Sequence, residues 1–559
     1  MRRFLACLLA AGALLVTGAA AQTPLMPGVT FDHQVTLTPH GPVAYSVITA
    51  PLPTGLETIG PVLAGNTVTG PRATVTQLEQ AASGGAVVAG INGDFFTSGS
   101  NAPSGIVMAN GALVRIPTPS RSSIGFDASG AMHVGRISFT GTWQGSGQRR
   151  PITAVNQKPH ANQTILYTPA WGATTPTAQN AAAVVLEPFP AAAINTDLTA
   201  TVAAIPDGST AIPADGAVLV ATGTAAAKLQ AEAPQGGSVT VRLILPDGWG
   251  SVVSALGGGP LLVKGGKPVF STSENFDETD LTSRQPRAAV GQLADGRVIL
   301  VAVDGGRPGS SVGMTTYELA QTMAKLGAVT AAGLQYGKFV TAAFDGQVLN
   351  RPSQPSGQVA VKEALLIQYA GVYALPPSVP VLTKANVNGG EQLAYRITHP
   401  SQVTATLVGP DGQAHQLDAG SKQPGSYKFA WASFDTEGTW HWNVQATDDQ
   451  SRASDASQAF VYDLTLSGLA VPKSASTASG LHVGFTLSRP ASVVLSITAA
   501  NGTPVVTLPA AQLDAGAQSL TWDGTIPGAK APAGAYVATV TETSSLGTTS
   551  VHASFTLHR

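Results

Sequence analysis

The sequence predicts a β-rich α+β N-terminal domain followed by two all-β Ig-like sandwiches. Three observations carry that expectation. Apolar residues run in short, β-branched stretches such as Ala217 to Thr222 and Ser238 to Leu245, bounded by Gly, Pro, Asn or Asp, the pattern of strands separated by turns. Two stretches stand out as helices, Thr74 to Ala82 and Thr315 to Leu326. The last third nearly repeats itself, Pro400 aligning with Pro490 and Asp411-Gly412 with Asn501-Gly502, an offset of 90 residues in both cases; a repeat of short alternating strands and Asx-Gly turns reads as tandem sandwiches.

Taken in order, the chain opens on Arg2 and Arg3, an apolar run from Leu5 to Val16 and the small residues Ala19-Ala20-Ala21. That is the pattern of a secretory signal peptide over residues 1–21, and it places the protein outside the cell or in the periplasm. The single cysteine, Cys7, lies inside it, so the processed chain has no disulfide and no thiolate metal site. Later apolar runs are too short for a transmembrane anchor. Residues 22–375 form the first domain. Within it, the 315–326 helix has Thr315 and Thr316 as N-cap candidates, Leu319, Met323 and Leu326 on one face, and Gly327 as its stop. Pro376, Pro377 and Pro380 open a linker over 376–390, and the sandwiches occupy 391–465 and 466–559. Trp431, Trp440 and Trp442 read as sandwich core rather than a glycan-stacking face.

Charge narrows the partners. The chain has 30 Lys+Arg against 32 Asp+Glu and only 11% charged residues, where soluble domains average about 25%. Without a basic excess there is no footprint for nucleic acid, whose phosphates require Lys and Arg.

Two stretches have the residue types of a ligand site. In "VVAGINGDFFTSGSNAPSG" an apolar strand runs into Asn92-Gly93-Asp94 and a Gly/Ser-rich loop; a plain turn and a ligand site both fit. In "RQPRAAVGQLADGRVILVAVDGGRPGSSVGMTTYELA" two strands flank the Asp295-Gly296 hairpin, and a Gly/Ser loop containing Ser311 and Gly313 leads into the helix at Thr315. Free N–H groups at such a loop attract anions, and Arg287 or Arg307 offers bidentate phosphate contacts; a hairpin with surface arginines is the alternative. The loop is not a P-loop, since Gly-Lys-Ser/Thr is absent. Gly309-Ser310-Ser311-Val312-Gly313 matches G-x-S-x-G but no histidine follows it in this domain. "DETD" at 277–280 reads as a solvated acidic loop, with calcium as the alternative.

Asn92-Gly93-Asp94-Phe95-Phe96, Pro103-Ser104-Gly105, Pro286-Arg287, Asp304 to Gly313 with Glu318-Leu319-Ala320, and Asn350-Arg351-Pro352-Ser353 occur in that order. Together they resemble the phosphodiester glycosidase domain over about 60–370. The resemblance implies hydrolysis of a sugar-1-phosphodiester with release of the sugar. Its expected partner is a sugar-phosphate glycoconjugate or a cell-envelope glycan. Asn92, Asp94 and Asp304 are the catalytic candidates, and Arg287, Arg307, Ser311 and Gly313 the substrate-binding candidates. No cofactor is assigned and no metal ligand set is assigned, although Asp94, Asp304 and loop carbonyls leave an oxygen-only cation site open. Near the C-terminus, "TWDGTIPGAKAPAGAY" resembles the Ig-like repeat of flagellar hook-capping proteins.

The chain departs from the glycosidase pattern in the segment Leu334-Gln335-Tyr336-Gly337-Lys338-Phe339, where the family carries Leu-Asp-Gly-Gly-Gly-Ser. Val359 stands where the family has an Arg, and Ala288 where it usually has Thr. The Arg of Asp304-Gly305-Gly306-Arg307 comes one position late. Glutamine is neutral and cannot act as a general base. Two functions therefore stand side by side: an exported hydrolase, or a glycan-binding protein that has lost turnover.

Overall fold

The structure is a computed structural model that describes residues 22–97, 101–269, 273–430 and 436–559. The signal-peptide stretch and Trp431 lie outside the described residues. The chain divides after Tyr369 into two units.

The N-terminal unit is built on sheets that are antiparallel but for the parallel pair of Ala154–Val155 with Thr164–Tyr167. An eight-stranded sheet has the spatial order Thr23–Met26, Val29–Thr38, Gly41–Ala50, Val298–Val303, Arg287–Leu293, Ala328–Gly333, Leu261–Lys264, Lys267–Pro268. The Arg287–Leu293 and Val298–Val303 strands form the hairpin read from Asp295-Gly296, with Arg287 opposite Val303 and Gly296 at φ 87°. The helix Thr316–Lys325 packs on this sheet, placing Leu319 and Met323 against Val43, Ala289 and Val301. Thr315 and Glu318 cap it reciprocally: the Glu318 amide donates to the Thr315 hydroxyl at 3.2 Å and the Thr315 amide to Glu318 Oε2 at 2.9 Å.

A five-stranded sheet orders Gln347–Val348, Ala342–Phe344, Val87–Asn92, Glu363–Tyr369 and Glu57–Leu63. The Val87–Asn92 strand is buried along its whole length, which explains a near-continuous apolar run where a half-exposed strand would alternate. The helix Val75–Ala82 covers one face through Val75 and Leu78 against Val88 and Leu366. A second eight-stranded sheet, from residues 140–244, encloses a core with Trp143, Leu166, Leu219 and Leu229. A further five-stranded sheet includes Ser123–Asp127 and Val252–Gly257.

The C-terminal unit contains two β-sandwiches of matching topology. The first pairs Tyr373–Leu375, Gln392–Ile397 and Gly425–Ala430 with a five-stranded sheet. The second repeats that plan from Leu466–Ala470, Leu481–Leu487 and Gly516–Trp522. Gly412 and Gly502 turn with φ of 80° and 83°, as the repeat of Asx-Gly turns requires. Trp440 and Trp442 are buried in the first core. Trp440 Nε1 donates to the Thr436 carbonyl at 3.1 Å and, at the aligned place, the Tyr536 hydroxyl donates to the Pro532 carbonyl at 2.6 Å. The repeat therefore extends to a side chain that ties its strand to the backbone four residues upstream.

Asp463 and Glu542 form a buried carboxyl pair in this unit. Burial is the largest influence on Glu542 and, with the Asp463 carboxyl adding to it, pushes Glu542 up to about 7, against the Thr549 hydroxyl donating at 2.8 Å. The native state thus holds this proton more tightly than the unfolded chain. Its contribution is complete below the ordinary value of 4.5 and is lost as pH rises through about 7. The stability of the native protein relative to Glu542→Gln should fall between pH 5 and about 7 in urea titrations; a rise over that window would contradict the assignment.

Candidate functional site

The two motif-bearing sheets of the N-terminal unit meet where their central strands end. Asn92 ends the Val87–Asn92 strand. Its Nδ2 donates to the Gln335 carbonyl at 2.7 Å, and its Oδ1 accepts the Thr341 amide at 3.1 Å. The Gln335 amide returns a bond to the Gly93 carbonyl at 3.0 Å, Leu334 N–H reaches Ala288 O at 2.8 Å, and Gly337 N–H reaches Pro286 O at 2.9 Å. The 334–341 segment therefore stitches Asn92-Gly93-Asp94 to Pro286-Arg287. Asn350 extends the net: its Oδ1 accepts the Ala342 amide at 2.8 Å and its Nδ2 donates to Asp304 Oδ1 at 3.0 Å.

Below this junction lies a charged cluster in which Asp94, Lys362 and Glu363 are buried and Arg121 is nearly so. Asp94 is fully buried. Its Oδ1 pairs with Arg121 Nη2 at 2.5 Å and its Oδ2 accepts the Gly105 amide at 2.7 Å. The Asp94 amide donates to Glu363 Oε1 at 3.1 Å. Glu363 is also fully buried, its Oε2 without a partner. Burial, reinforced by the Asp94 charge, holds the Glu363 carboxyl well above the usual carboxylate range. Lys362 donates to the Ala64 and Gly70 carbonyls at 3.2 and 2.8 Å, and burial pushes it down to about 8. Glycine is required around this cluster: a Cβ at Gly105 would lie 2.6 Å from Gly257 Cα, and one at Gly93 would lie 2.7 Å from Glu363 Cγ.

Above the cluster stands a half-exposed rim of Phe95, Phe276 and Tyr336. Phe95 meets Tyr336 edge-on at 5.1 Å and Phe276 at 5.6 Å between centroids. Two guanidinium groups lie on these rings, Arg121 Cζ 4.4 Å from the Phe95 centroid and Arg287 Cζ 5.1 Å from that of Tyr336. Arg121 Nη2 also donates to the Gly258 carbonyl at 3.0 Å, while its buried Nε has no acceptor. Arg287 is buried. Its Nε donates to Met314 O at 3.0 Å and its Nη2 to the Asp280 and Ser283 carbonyls at 2.6 and 2.9 Å, and burial lowers it to about 10. Lys338 lies over Phe339, at 5.3 Å from its centroid, rather than over the rim.

The second strand end is more structural. Asp304 Oδ1 accepts Asn350 Nδ2 and the Arg351 amide, both at 3.0 Å, and burial raises its carboxyl. The Ser311 hydroxyl donates to the Asp304 carbonyl at 2.6 Å and accepts the Ala44 amide at 3.1 Å. Arg307 Nη2 donates to the Pro352 carbonyl at 2.9 Å, its Nε unpartnered. Gly313 has φ 82° and would place a Cβ 2.5 Å from the Gln285 carbonyl oxygen. The fold thus gathers Asn92, Asp94, Asp304 and Arg287 into one hydrogen-bonded region, with Arg307, Ser311 and Gly313 shaping its loop. The carboxylates of Asp94 and Asp304 already serve N–H donors, a poor arrangement for a cation.

Arg121, Phe276, Asp280 and Glu363 were not among the residues that sequence reasoning singled out for this site. Arg121 sits in a Pro/Ser loop with no motif. Glu363 had a usable signal, since Lys362-Glu363 interrupts an otherwise apolar strand, and charged residues are rarely buried unless paired. Buried polar atoms without partners gather here as well, at Gln335 Oε1, Thr341 Oγ1, Glu363 Oε2, Arg121 Nε and Arg307 Nε.

Comparison with known proteins bears on this region directly. A family model described as phosphodiester glycosidase matches residues 190–368, which include Arg287, Asp304, Gln335 and Glu363 but begin after Asn92 and Asp94. A FlgD Ig-like domain model matches residues 473–545. The SPbeta prophage-derived uncharacterized protein YomE of Bacillus subtilis is 33% identical over 108 residues, 19% of this chain and 16% of that protein, so the chain spans about a sixth of that relative. A solved hypothetical protein from Synechocystis superposes with TM-score 0.52 at 24% identity, covering 63% of this chain and 64% of that one; this likeness concerns the fold. The catalytic domain of zebrafish N-acetylglucosamine-1-phosphodiester alpha-N-acetylglucosaminidase covers 62% of this chain and 84% of its own at 14% identity and TM-score 0.34, too remote to inform the site. The chain carries a phosphodiester glycosidase domain in its N-terminal unit and, in its last sandwich, a FlgD Ig-like domain.

Proposed function

We propose that the protein is an exported hydrolase that binds a sugar-1-phosphodiester glycoconjugate over the Phe95–Tyr336 rim and releases the sugar. The observation that carries this reading is the pair of guanidinium groups, Arg121 and Arg287, at the point where the motifs converge. Each lies on an aromatic face. Among the described residues Arg287 Nη1 makes no hydrogen bond. Oriented N–H groups in a partly dry site suit a phosphodiester, and the flat rings suit the apolar face of a sugar. In this reading Asn92, Asp94 and Asp304 position the floor and loop, and Ser311 and Gly313 shape the approach. Export follows from the Arg2-to-Ala21 leader read in the sequence. Among the described residues no helix is long and apolar enough to cross a membrane.

A second reading, glycan binding without turnover, is favoured by Gln335 in place of a carboxylate and by the complete enclosure of Asp94 and Glu363. Sugar release from UDP-N-acetylglucosamine and related sugar-1-phosphodiesters separates the two. The native chain should release sugar, and Arg287→Lys, which keeps the charge but loses the fork, should lower kcat/KM by roughly 10- to 100-fold, the worth of one charge-assisted hydrogen bond. Binding without release across the panel would establish the second reading.

A further inference from the structure

We propose that the aglycone of this site carries a second phosphate beyond the scissile one, held by Arg72 and Lys338 over the rings of Phe96 and Phe339. The inference rests on the hydrolase reading above and names its substrate class, a sugar-capped chain of phosphodiester-linked polyol or sugar units. The 336–339 segment departs from the glycosidase pattern by carrying Tyr336, Lys338 and Phe339 in place of Gly, Gly and Ser. Those side chains build two stations of the same design. Phe95 meets Tyr336 at 5.1 Å and 74°, and Phe96 meets Phe339 at 5.3 Å and 78°, both edge-on. Every ring of the two pairs has a cation over it. Arg121 lies on Phe95 and Arg287 on Tyr336, while Arg72 Cζ is 4.7 Å from the Phe96 centroid and Lys338 Nζ 5.3 Å from that of Phe339.

The stations differ in what their cations already serve. Arg121 is paired with Asp94, and Arg287 donates to three carbonyls. Arg72 and Lys338 are exposed, and among the described residues neither side chain makes a hydrogen bond or an ion pair. Phe96 and Phe339 are half-exposed beneath them. The donors of the second station are therefore open to a ligand, the guanidinium as a fork and the ammonium as a point charge, and both suit phosphate. Resting on a ring narrows the rotamers of each long side chain, which lowers the entropy lost when a ligand orders it.

Charge and spacing choose the aglycone. Asp277 and Glu278, both exposed, and the half-exposed Asp280 follow Phe276 of the first station. An anionic chain running to that side meets like charges, whereas the uncharged sugar does not. Toward Phe96 and Phe339 the same chain meets two cations. Tyr336 leads into the short helical turn Gly337–Phe339. The rise of such a turn, roughly 2 Å per residue, sets Tyr336 and Phe339 about 6 Å apart along the segment. That is wider than two phosphates sharing one bridging oxygen and suits phosphates joined through a polyol or a sugar.

The test gives the full chain three compounds: the glycerol ester of N-acetylglucosamine-1-phosphate, the same ester extended by a second glycerol phosphate, and UDP-N-acetylglucosamine. Sugar release and titration calorimetry are read for each. The extended ester should exceed the single ester by about 10-fold in kcat/KM and in affinity, the order of one charge-assisted contact, and the margin should shrink at high salt. In the Arg72→Ala/Lys338→Ala double variant the margin should vanish, with the thermal midpoint near native because both side chains are exposed. Equal handling of the two esters by the native chain, or a margin that survives in the double variant, overturns the second station and leaves the hydrolase reading intact. A margin largest for UDP-N-acetylglucosamine overturns the extended chain and assigns the station to a diphosphate. Failure of all three to release sugar overturns the hydrolase reading, and the calorimetric margin then decides the second station by itself. No binding of any of them overturns both.

Discussion

Arg121→Ala is expected to destabilise the N-terminal unit by about 3–5 kcal/mol, the usual cost of removing one partner from a buried ion pair. The Arg121 side chain is 11% exposed and the Asp94 side chain 0%. Removing the guanidinium strands the Asp94 carboxylate beside Glu363, whose own amide neighbour and unpaired oxygen offer it no countercharge. The stack on Phe95 and Phe276 and the bond to the Gly258 carbonyl disappear with it. Urea unfolding of the full chain, followed by a probe in the N-terminal unit, reads the change. A double variant with Asp94→Asn should recover part of the loss, because the stranded group is then neutral. A single-variant effect under about 1 kcal/mol, the range of an exposed pair, would show that the pair is solvated.

Trp522→Ala should cost the last sandwich about 3–5 kcal/mol, as large core truncations do. Trp522 is 1% exposed and packs against Tyr536 and Phe555 at 6.2 and 6.4 Å between centroids. Its Nε1 donates to the Thr525 carbonyl at 2.8 Å, so truncation both opens a cavity and removes the donor of a part-buried carbonyl. Calorimetry should show the C-terminal unit melting earlier, with the N-terminal unit's transition unchanged because no residue of the candidate site lies in this sandwich. A native-like melting profile would place Trp522 outside the sandwich core.

Much of the fold was legible because its signals are local. Thr315, Glu318 and Gly327 bracket a helix within a dozen residues, and Asp295-Gly296 closes a hairpin between adjacent strands. The offset that aligns Pro400 with Pro490 needs no knowledge of packing, and the two sandwiches share their sheet plan, the second dividing the counterpart of Ala414–Lys422 into Pro504–Thr507 and Ala511–Leu513. Motif order pointed to the region that holds the candidate site, and Asn92, Asp94, Arg287 and Asp304 do lie together there.

The roles of those residues were not legible. Asn92 looks like a ligand-facing turn residue, but both ends of its amide are committed to Gln335 and Thr341, more than 240 residues away. Tyr336 reads as damage to a glycine turn until Phe95 and Arg287 are seen against its ring. Arg121 carries no motif at all and becomes central only because the Ser123–Asp127 strand brings its loop to Asp94.

The sequence by itself determined the order of modules, the strand-rich character of each and the family to which the first belongs, since periodicity, capping and repeats act over a few residues. Tertiary structure alone decided which charges meet, which are sealed from water and which stay open to a ligand. Asp94 and Glu363 lie 269 residues apart, and the burial that raises the Glu363 carboxyl exists only once the sheets have closed around it.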